Sequence, residues 1–239
     1  MAPAVRFRFH VCHVQRTLFI TGTNTGNGKT VLTALLAQYL RGRGIRVAAL
    51  KPICSGGRAD AQALHAALGG NLTLDEINPW HFRAPIAPAL AARLEKRPLL
   101  LAPVCKHIRT LRKKFAVTLV EGAGGLLSPL GDDFDSRDLI TALRAAPIIV
   151  APNQLGAVNH LLLTLEALPK KYRAQARVVF MLPAKPDAAT ATNVALLGEF
   201  FPRKRIFTLP WLGRNFSVSE ALKNPAVKRT LAALYGRLQ

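Results

Sequence analysis

The sequence predicts a single-domain α/β protein built on a doubly wound, mainly parallel sheet with helices on both faces. Two observations carry this. Short apolar, β-rich runs alternate with segments of helical periodicity along most of the chain, the layout of successive βαβ units. The loops that follow those runs begin at Gly22, Lys51, Glu121, Asn153 and Pro183, and in a parallel sheet they all emerge at the one edge where ligands gather. A chain of 239 residues, half of them hydrophobic, has enough apolar material for a sizeable core.

Residues 1–16 read as an N-terminal extension. Val5, Phe7, Phe9 and Val11 alternate with Arg6, Arg8 and His10, a strand pattern that predicts an added edge strand. The segment also holds arginine and no acid, as organelle transit segments do, and the alternation favours the strand. Residues 17–239 form the main domain. A short strand from Thr17 opens into a Gly-rich turn, and apolar positions at Val31, Leu32, Leu35, Leu36, Tyr39 and Leu40 then predict a helix closed by Gly42 and Gly44. Residues 47–50 are a short buried strand, 51–57 a loop, and 60–68 a helix stopped by Gly69-Gly70. Residues 71–87, with Pro79 and Pro85, are expected to be irregular. Helices are predicted over 87–96, 101–114, 138–145, 188–200 and 219–238, and strands over 116–120, 148–151, 178–182 and 205–209. The segment 158–168 is apolar on nearly every face, so it should be buried or lie in an interface.

The turn after the first strand reads Gly22-Thr23-Asn24-Thr25-Gly26-Asn27-Gly28-Lys29-Thr30. Strand, glycine-rich turn, Gly-Lys-Thr and helix together form a phosphate-binding loop. Glycines let successive N–H groups converge on an anion, and the helix N-terminus adds positive charge. Lys29 would reach the β/γ-phosphates and the Thr30 hydroxyl would hold Mg²⁺. One feature departs from the general motif: five residues, not four, lie between Gly22 and Gly28.

Lys plus Arg number 33 against 13 Asp plus Glu, a net charge of +20, and no acid precedes Asp60. The basic residues are scattered, with modest clusters at 41–46 and 106–114 and no aromatic pattern beside them. The charge therefore reads as a basic surface bias plus an anionic ligand, with no specific nucleic-acid partner expected. No apolar run reaches the ~18 residues of a membrane span, so no membrane partner is expected. Cys12, Cys54 and Cys105 are odd in number and widely spaced, giving neither a disulfide framework nor metal-ligand spacing; a reducing cytoplasmic location fits.

Further candidates lie in the other loops. Lys51 follows the second strand directly; if that strand neighbours the phosphate loop, Lys51 lies near the γ-phosphate, and otherwise it is a solvated strand end. Glu121 ends an apolar strand, where phosphate-loop proteins place an acidic Mg²⁺ ligand. Asp60 is the second carboxylate, either a Mg²⁺ ligand or a helix N-cap. The Gly122-Ala123-Gly124-Gly125 run allows close backbone approach to a ligand. Asn159-His160 opens the apolar helix, either as a capped start with a core histidine or as an anion-holding end.

In order along the chain, Gly22-Thr23-x-Thr25-x-x-Gly28-Lys29-Thr30, Lys51-Pro52-x-x-Ser55-Gly56, Asp60, Val120-Glu121-Gly122-Ala123-Gly124-Gly125, Gly156-x-x-Asn159-His160 and Pro210-Trp211-Leu212 resemble the dethiobiotin synthetase family, of the P-loop NTPase type. The likeness runs from about Leu18 to Leu212, and the five-residue glycine spacing is that family's own. The resemblance implies an ATP-dependent ligase that joins CO₂ to 7,8-diaminononanoate and closes a ureido ring, through a carbamate and a carbamic-phosphoric anhydride. It implies catalytic roles for Lys29 and Lys51. Nucleotide contacts would come from Gly26, Asn27, Gly28, Lys29, Thr30, Asp60, Glu121, Gly122, Ala123, Gly124, Pro210, Trp211 and Leu212. Mg²⁺ would be held by Thr30, Asp60 and Glu121, and substrate by Thr25, Ser55 and Asn159. It further implies a homodimer, with Asn159 reaching the partner's substrate site. Two places depart from the family pattern: Leu182-Pro183 replaces an Asn-Asp pair that reads adenine, and the run after Leu212, ending at Ser217, lacks an acid. A partition-type ATPase that rides on nucleic acid is the main alternative, but its early loop lysine is Asn24 here. A cobyrinate-type amidotransferase needs a further domain, and a non-catalytic nucleotide-binding relative is the third alternative.

Overall fold

A computed structural model describes residues 15–236; the expected edge strand before residue 15 lies outside the described residues. The chain runs β1 (Arg16–Gly22), α1 (Lys29–Gly42), β2 (Val47–Leu50), β3 (Ile53–Ser55), α2 (Ala59–Leu68), α3 (Leu74–Ile77), β4 (Trp80–Phe82), α4 (Pro88–Leu94), α5 (Leu101–Arg112), β5 (Val117–Glu121), α6 (Ser136–Leu143), β6 (Ala146–Pro152), α7 (Ala157–Ala167), α8 (Lys170–Arg173), β7 (Arg177–Met181), α9 (Ala188–Phe200), β8 (Ile206–Leu209), α10 (Val218–Ala221) and α11 (Pro225–Gly236).

Six strands form one parallel sheet in the order β2-β5-β1-β6-β7-β8. Leu18, Phe19, Ile20 and Thr21 are all buried in succession, so both faces of β1 are covered, as a parallel sheet requires. The chain leaves β1 toward one side and later returns to β6 on the other, which makes the C-terminal end of β1 a topological switch point. The expected neighbourhood of Lys51 is corrected here: β5 lies between β1 and β2. The register nevertheless pairs Leu50 with Val120 and Ile20 with Glu121, so Glu121 stands between the phosphate loop and Lys51.

Three further expectations change. The 51–57 loop contains β3, and the 71–87 stretch contains α3 and β4; β3 and β4 pair in parallel as a separate two-stranded sheet. Three-residue strands are too short to show a period in sequence. The predicted 219–238 helix is broken into α10 and α11, because Pro225 begins a helix but cannot continue one. Asp60 is not an N-cap: α2 starts at Ala59 after Arg58 and has no side-chain cap.

Candidate active site

The loop between β1 and α1 spans residues 23–28. Gly28 adopts φ +86°, a backbone conformation that favours glycine, and a Cβ there would also press on the flexible end of the Met181 side chain at 2.8 Å. No side chain caps α1, which leaves its first N–H groups open to an anion. Lys29 is buried and donates to the Asn24 carbonyl at 2.8 Å. Burial is the main reason its pKa falls to about 8; the nearby Lys51 charge lowers it further, against the opposing pull of Glu121 and Asp60.

Thr30, on the next helical position, donates from Oγ1 to Glu121 Oε1 at 2.8 Å. The same carboxylate oxygen lies 2.7 Å from Lys51 Nζ, which also contacts Asp60 Oδ2 at 3.0 Å and donates to the Gly122 carbonyl at 3.0 Å. Lys51 is only 3 % exposed. Burial works against its charge, but Glu121 and Asp60 outweigh it and hold its pKa above the ordinary lysine value. Burial likewise opposes the Asp60 charge, and Lys51, then Thr30, bring its pKa below the usual carboxylate value. Glu121 Oε2 is buried and has no hydrogen-bond partner. Thr30, Lys51, Asp60 and Glu121 thus form one connected cluster beside Lys29.

A cavity of about 720 Å³ opens over this cluster; Thr25, Ser55, Ala123 and Gly124 also line it. Ser55 donates to the Ile86 carbonyl at 2.6 Å, which ties the end of β3 to the cavity wall. A second cavity of about 370 Å³ meets the first at Gly26, Asn27, Gly28 and Val31, and Leu182, Pro183, Pro210, Trp211 and Leu212 close it. Ser217 lies outside that second cavity, and its hydroxyl caps α10 by accepting from Glu220 N–H. Asn159 is not brought to either cavity of its own chain: it is exposed on the first turn of α7. The core-histidine reading of His160 is also corrected, since His160 is exposed beside it.

Sequence reasoning missed the residues that position Lys51. Asn78 is fully buried; its amide donates to the Lys51 carbonyl at 2.7 Å and accepts from Cys54 Sγ and Arg58 Nε. Its place in an irregular, proline-containing stretch gave no signal. Asn153, by contrast, opens one of the loops that the sequence points to, but its amide is spent on the Thr190 carbonyl and the Asn193 side chain.

A family model described as an AAA domain matches residues 16–214. The ATP-dependent dethiobiotin synthetase of Anaeromyxobacter dehalogenans is 40% identical over 201 residues, covering 82% of this chain and 90% of that protein. The chain belongs to the dethiobiotin synthetase family. A dethiobiotin synthetase from Methanocaldococcus jannaschii is 40% identical over 158 residues, 64% of this chain and 74% of that one. The fold is shared more widely. A pNOB8 ParA structure bound to nonspecific DNA superposes with TM-score 0.59 at 13% identity, covering 94% of this chain and 99% of that one. The Aquifex aeolicus MinC:MinD complex gives TM-score 0.59 at 13% identity, with 93% and 95% covered. At such identity the likeness extends to the fold alone, so family membership sets the partition-ATPase reading aside.

Proposed function

We propose that the chain makes dethiobiotin in the cavity over Lys29 and Lys51, by the division of labour set out below. It is an ATP-dependent ligase of biotin biosynthesis with ATP as co-substrate. The observation that carries the site assignment is the Lys51–Glu121–Asp60 cluster, a buried Lys51–Glu121 pair with the half-exposed Asp60 at its mouth, 2.7–3.0 Å across its contacts, next to Lys29 and the phosphate loop.

The phosphate loop, through Gly26, Asn27, Gly28 and the α1 N-terminus, holds the triphosphate. Lys29 and Lys51 offset the charge that develops on the transferring phosphoryl group and on the carbamate of 7,8-diaminononanoate. The carbamate oxygen attacks the γ-phosphorus to form a carbamic-phosphoric anhydride and release ADP. The second amine then attacks the carbonyl carbon, closes the ureido ring and expels phosphate. Thr25 and Ser55 face the diamine, and Gly122, Ala123 and Gly124 give it and the phosphates close backbone contact. The second cavity takes the nucleotide base between Leu182, Pro183, Pro210, Trp211 and Leu212.

The donor set suits Mg²⁺. The unpartnered, buried Glu121 Oε2 offers a free lone pair, with Asp60 and the Thr30 hydroxyl beside it. Two carboxylates and a hydroxyl leave room in an octahedral shell for the waters and phosphate oxygens that such an ion keeps. Bound there, Mg²⁺ would supply charge neutralisation across the β- and γ-phosphates.

A homodimer supports the same chemistry, because Asn159 sits on an outward apolar face. Leu155 is 85% exposed and Leu163 62% exposed around it, and the partner's cavity is the place for the Asn159 amide.

Phosphate release measured with and without the diamine and bicarbonate tests the proposal. Stimulation should require both together; release that ignores the diamine would overturn it.

A further inference from the structure

Among the described residues, acids are unevenly placed around the fold and leave one edge basic. Parallel strands bring all their starts to one edge, here the edge opposite the phosphate loop. The register sets Arg16 level with Val117, and Val117 level with Val47. The five turns that lead into the other core strands each carry exposed basic side chains: Arg46 before β2, Lys113 and Lys114 before β5, Arg144 before β6, Lys171 before β7 and Lys204 before β8. Those turns, residues 43–46, 113–116, 144–145, 168–176 and 201–205, hold no acid. Two acids adjoin them at helix ends: Glu166, which pairs with Arg173, and Glu199 in the last turn of α9. Asp60, Glu121, Asp132, Asp133, Asp135 and Asp187 instead follow strands, on the nucleotide side.

We propose that this basic edge is a sequence-independent docking surface for the phosphate backbone of double-stranded nucleic acid. Six strands at ~4.8 Å spacing make a row roughly 24 Å wide. Over that length a duplex presents on the order of a dozen phosphates, a charge density that the row of cations matches. Arginine is well represented in the row, and its planar fork suits phosphate oxygens. Among the described residues, Phe200 and, one turn before it on α9, Leu196 are large apolar side chains exposed toward this edge, and Phe200 is the aromatic of the two. A single aromatic gives neither the stacking platform that single strands use nor the apolar face that inserts into a membrane, so contact stops at the phosphates. This role lies apart from dethiobiotin synthesis and uses none of its residues.

Fluorescence anisotropy of the full chain with labelled 24-base-pair duplexes of unrelated sequence tests it. Binding at 50 mM salt should be equal for all sequences, persist with saturating ATP and Mg²⁺, and weaken at least tenfold at 200 mM, roughly as counterion release requires. A Lys113→Gln, Lys114→Gln, Arg144→Gln variant should bind at least tenfold more weakly and lower the salt slope by about 2–3, with dethiobiotin synthesis unchanged. The matched Arg83→Gln, Arg93→Gln, Lys96→Gln variant removes equal charge around α4 and should bind within about twofold of wild type. The proposal is overturned by no binding at 50 mM, by equal losses in the two variants, or by release with ATP. Tighter binding to phosphatidylserine-containing vesicles than to duplex would also overturn it, in favour of a membrane surface.

Discussion

Lys51 is pinned in place by the same carboxylates it neutralises, so its removal should act on stability as well as on turnover. Losing one preorganised cation typically costs about 10²–10³ in kcat. Leaving Glu121 buried without its partner should cost a further ~3–5 kcal/mol of stability. Lys51→Met is therefore expected to be nearly inactive and to unfold at lower urea, while Lys51→Met with Glu121→Gln regains much of the stability and none of the activity. A single variant keeping more than about a tenth of wild-type turnover would remove Lys51 from the mechanism. The base of the nucleotide is a second residue-scale question. Leu182 and Pro183 bring no side-chain donor or acceptor, and the Asn153 amide is already used within the protein. Apolar packing against Trp211 and Phe216 does not discriminate among bases, so CTP and GTP should support turnover within about tenfold of ATP, measured as kcat/KM. A hundredfold preference for ATP would show that backbone groups or Lys185 read the base. Lys29, Lys51 and Glu121 were legible in sequence because each sits in a contiguous run with its own chemistry. Asn78 was not, because its importance arises only where β3, α2 and the turn before β4 converge.

Among the elements, α9 was predicted over residues 188–200 and observed at the same bounds, Ala188–Phe200. Its start is fixed by Asp187, whose carboxylate accepts from the Thr190 N–H at 2.7 Å and from the Thr190 hydroxyl. The Thr190 side chain first, then its backbone N–H, hold the Asp187 pKa below the ordinary aspartate value. A depressed carboxylate stabilises the fold above its unfolded pKa, and that contribution is lost as pH falls through the folded value. Asp187→Ala should therefore unfold at lower urea than wild type at pH 7, and the gap should close as the pH drops below about 4. Asp187→Asn, which still caps, should keep most of the pH 7 midpoint; a gap that does not change with pH would place the effect elsewhere. Long elements were readable because they run for enough turns to show a period, with or without a side-chain cap. The pair β3–β4 was not, since three residues each carry no period and their pairing joins positions 53–55 to 80–82.

At the scale of the whole molecule, the parallel sheet was legible from the alternation of segments, but its strand order was not. Which strand neighbours which depends on long-range pairing, and β5 inserts between β1 and β2 with no local mark. The apolar character of α7 was legible too, and the fold divides it. Ala157, Val158, Leu161 and Leu165 face the core, while Leu155 and Leu163 remain exposed beside Asn159. A two-fold interface is isologous, so one patch of this kind serves both subunits. If Asn159 completes the partner's site, an Asn159→Ala subunit and a Lys51→Ala subunit each spoil a homodimer in different places. In a mixed dimer, one site carries both changes and the other carries neither. Random exchange makes about half of the dimers mixed, so about a quarter of all sites become native. Two separately inactive preparations should therefore recover about a quarter of wild-type activity after mixing and exchange. Leu163→Glu in both subunits should prevent the recovery and give a monomer by light scattering. Mixing that restores nothing, although exchange is shown by mass-tagged subunits, would mean that each chain completes its own site.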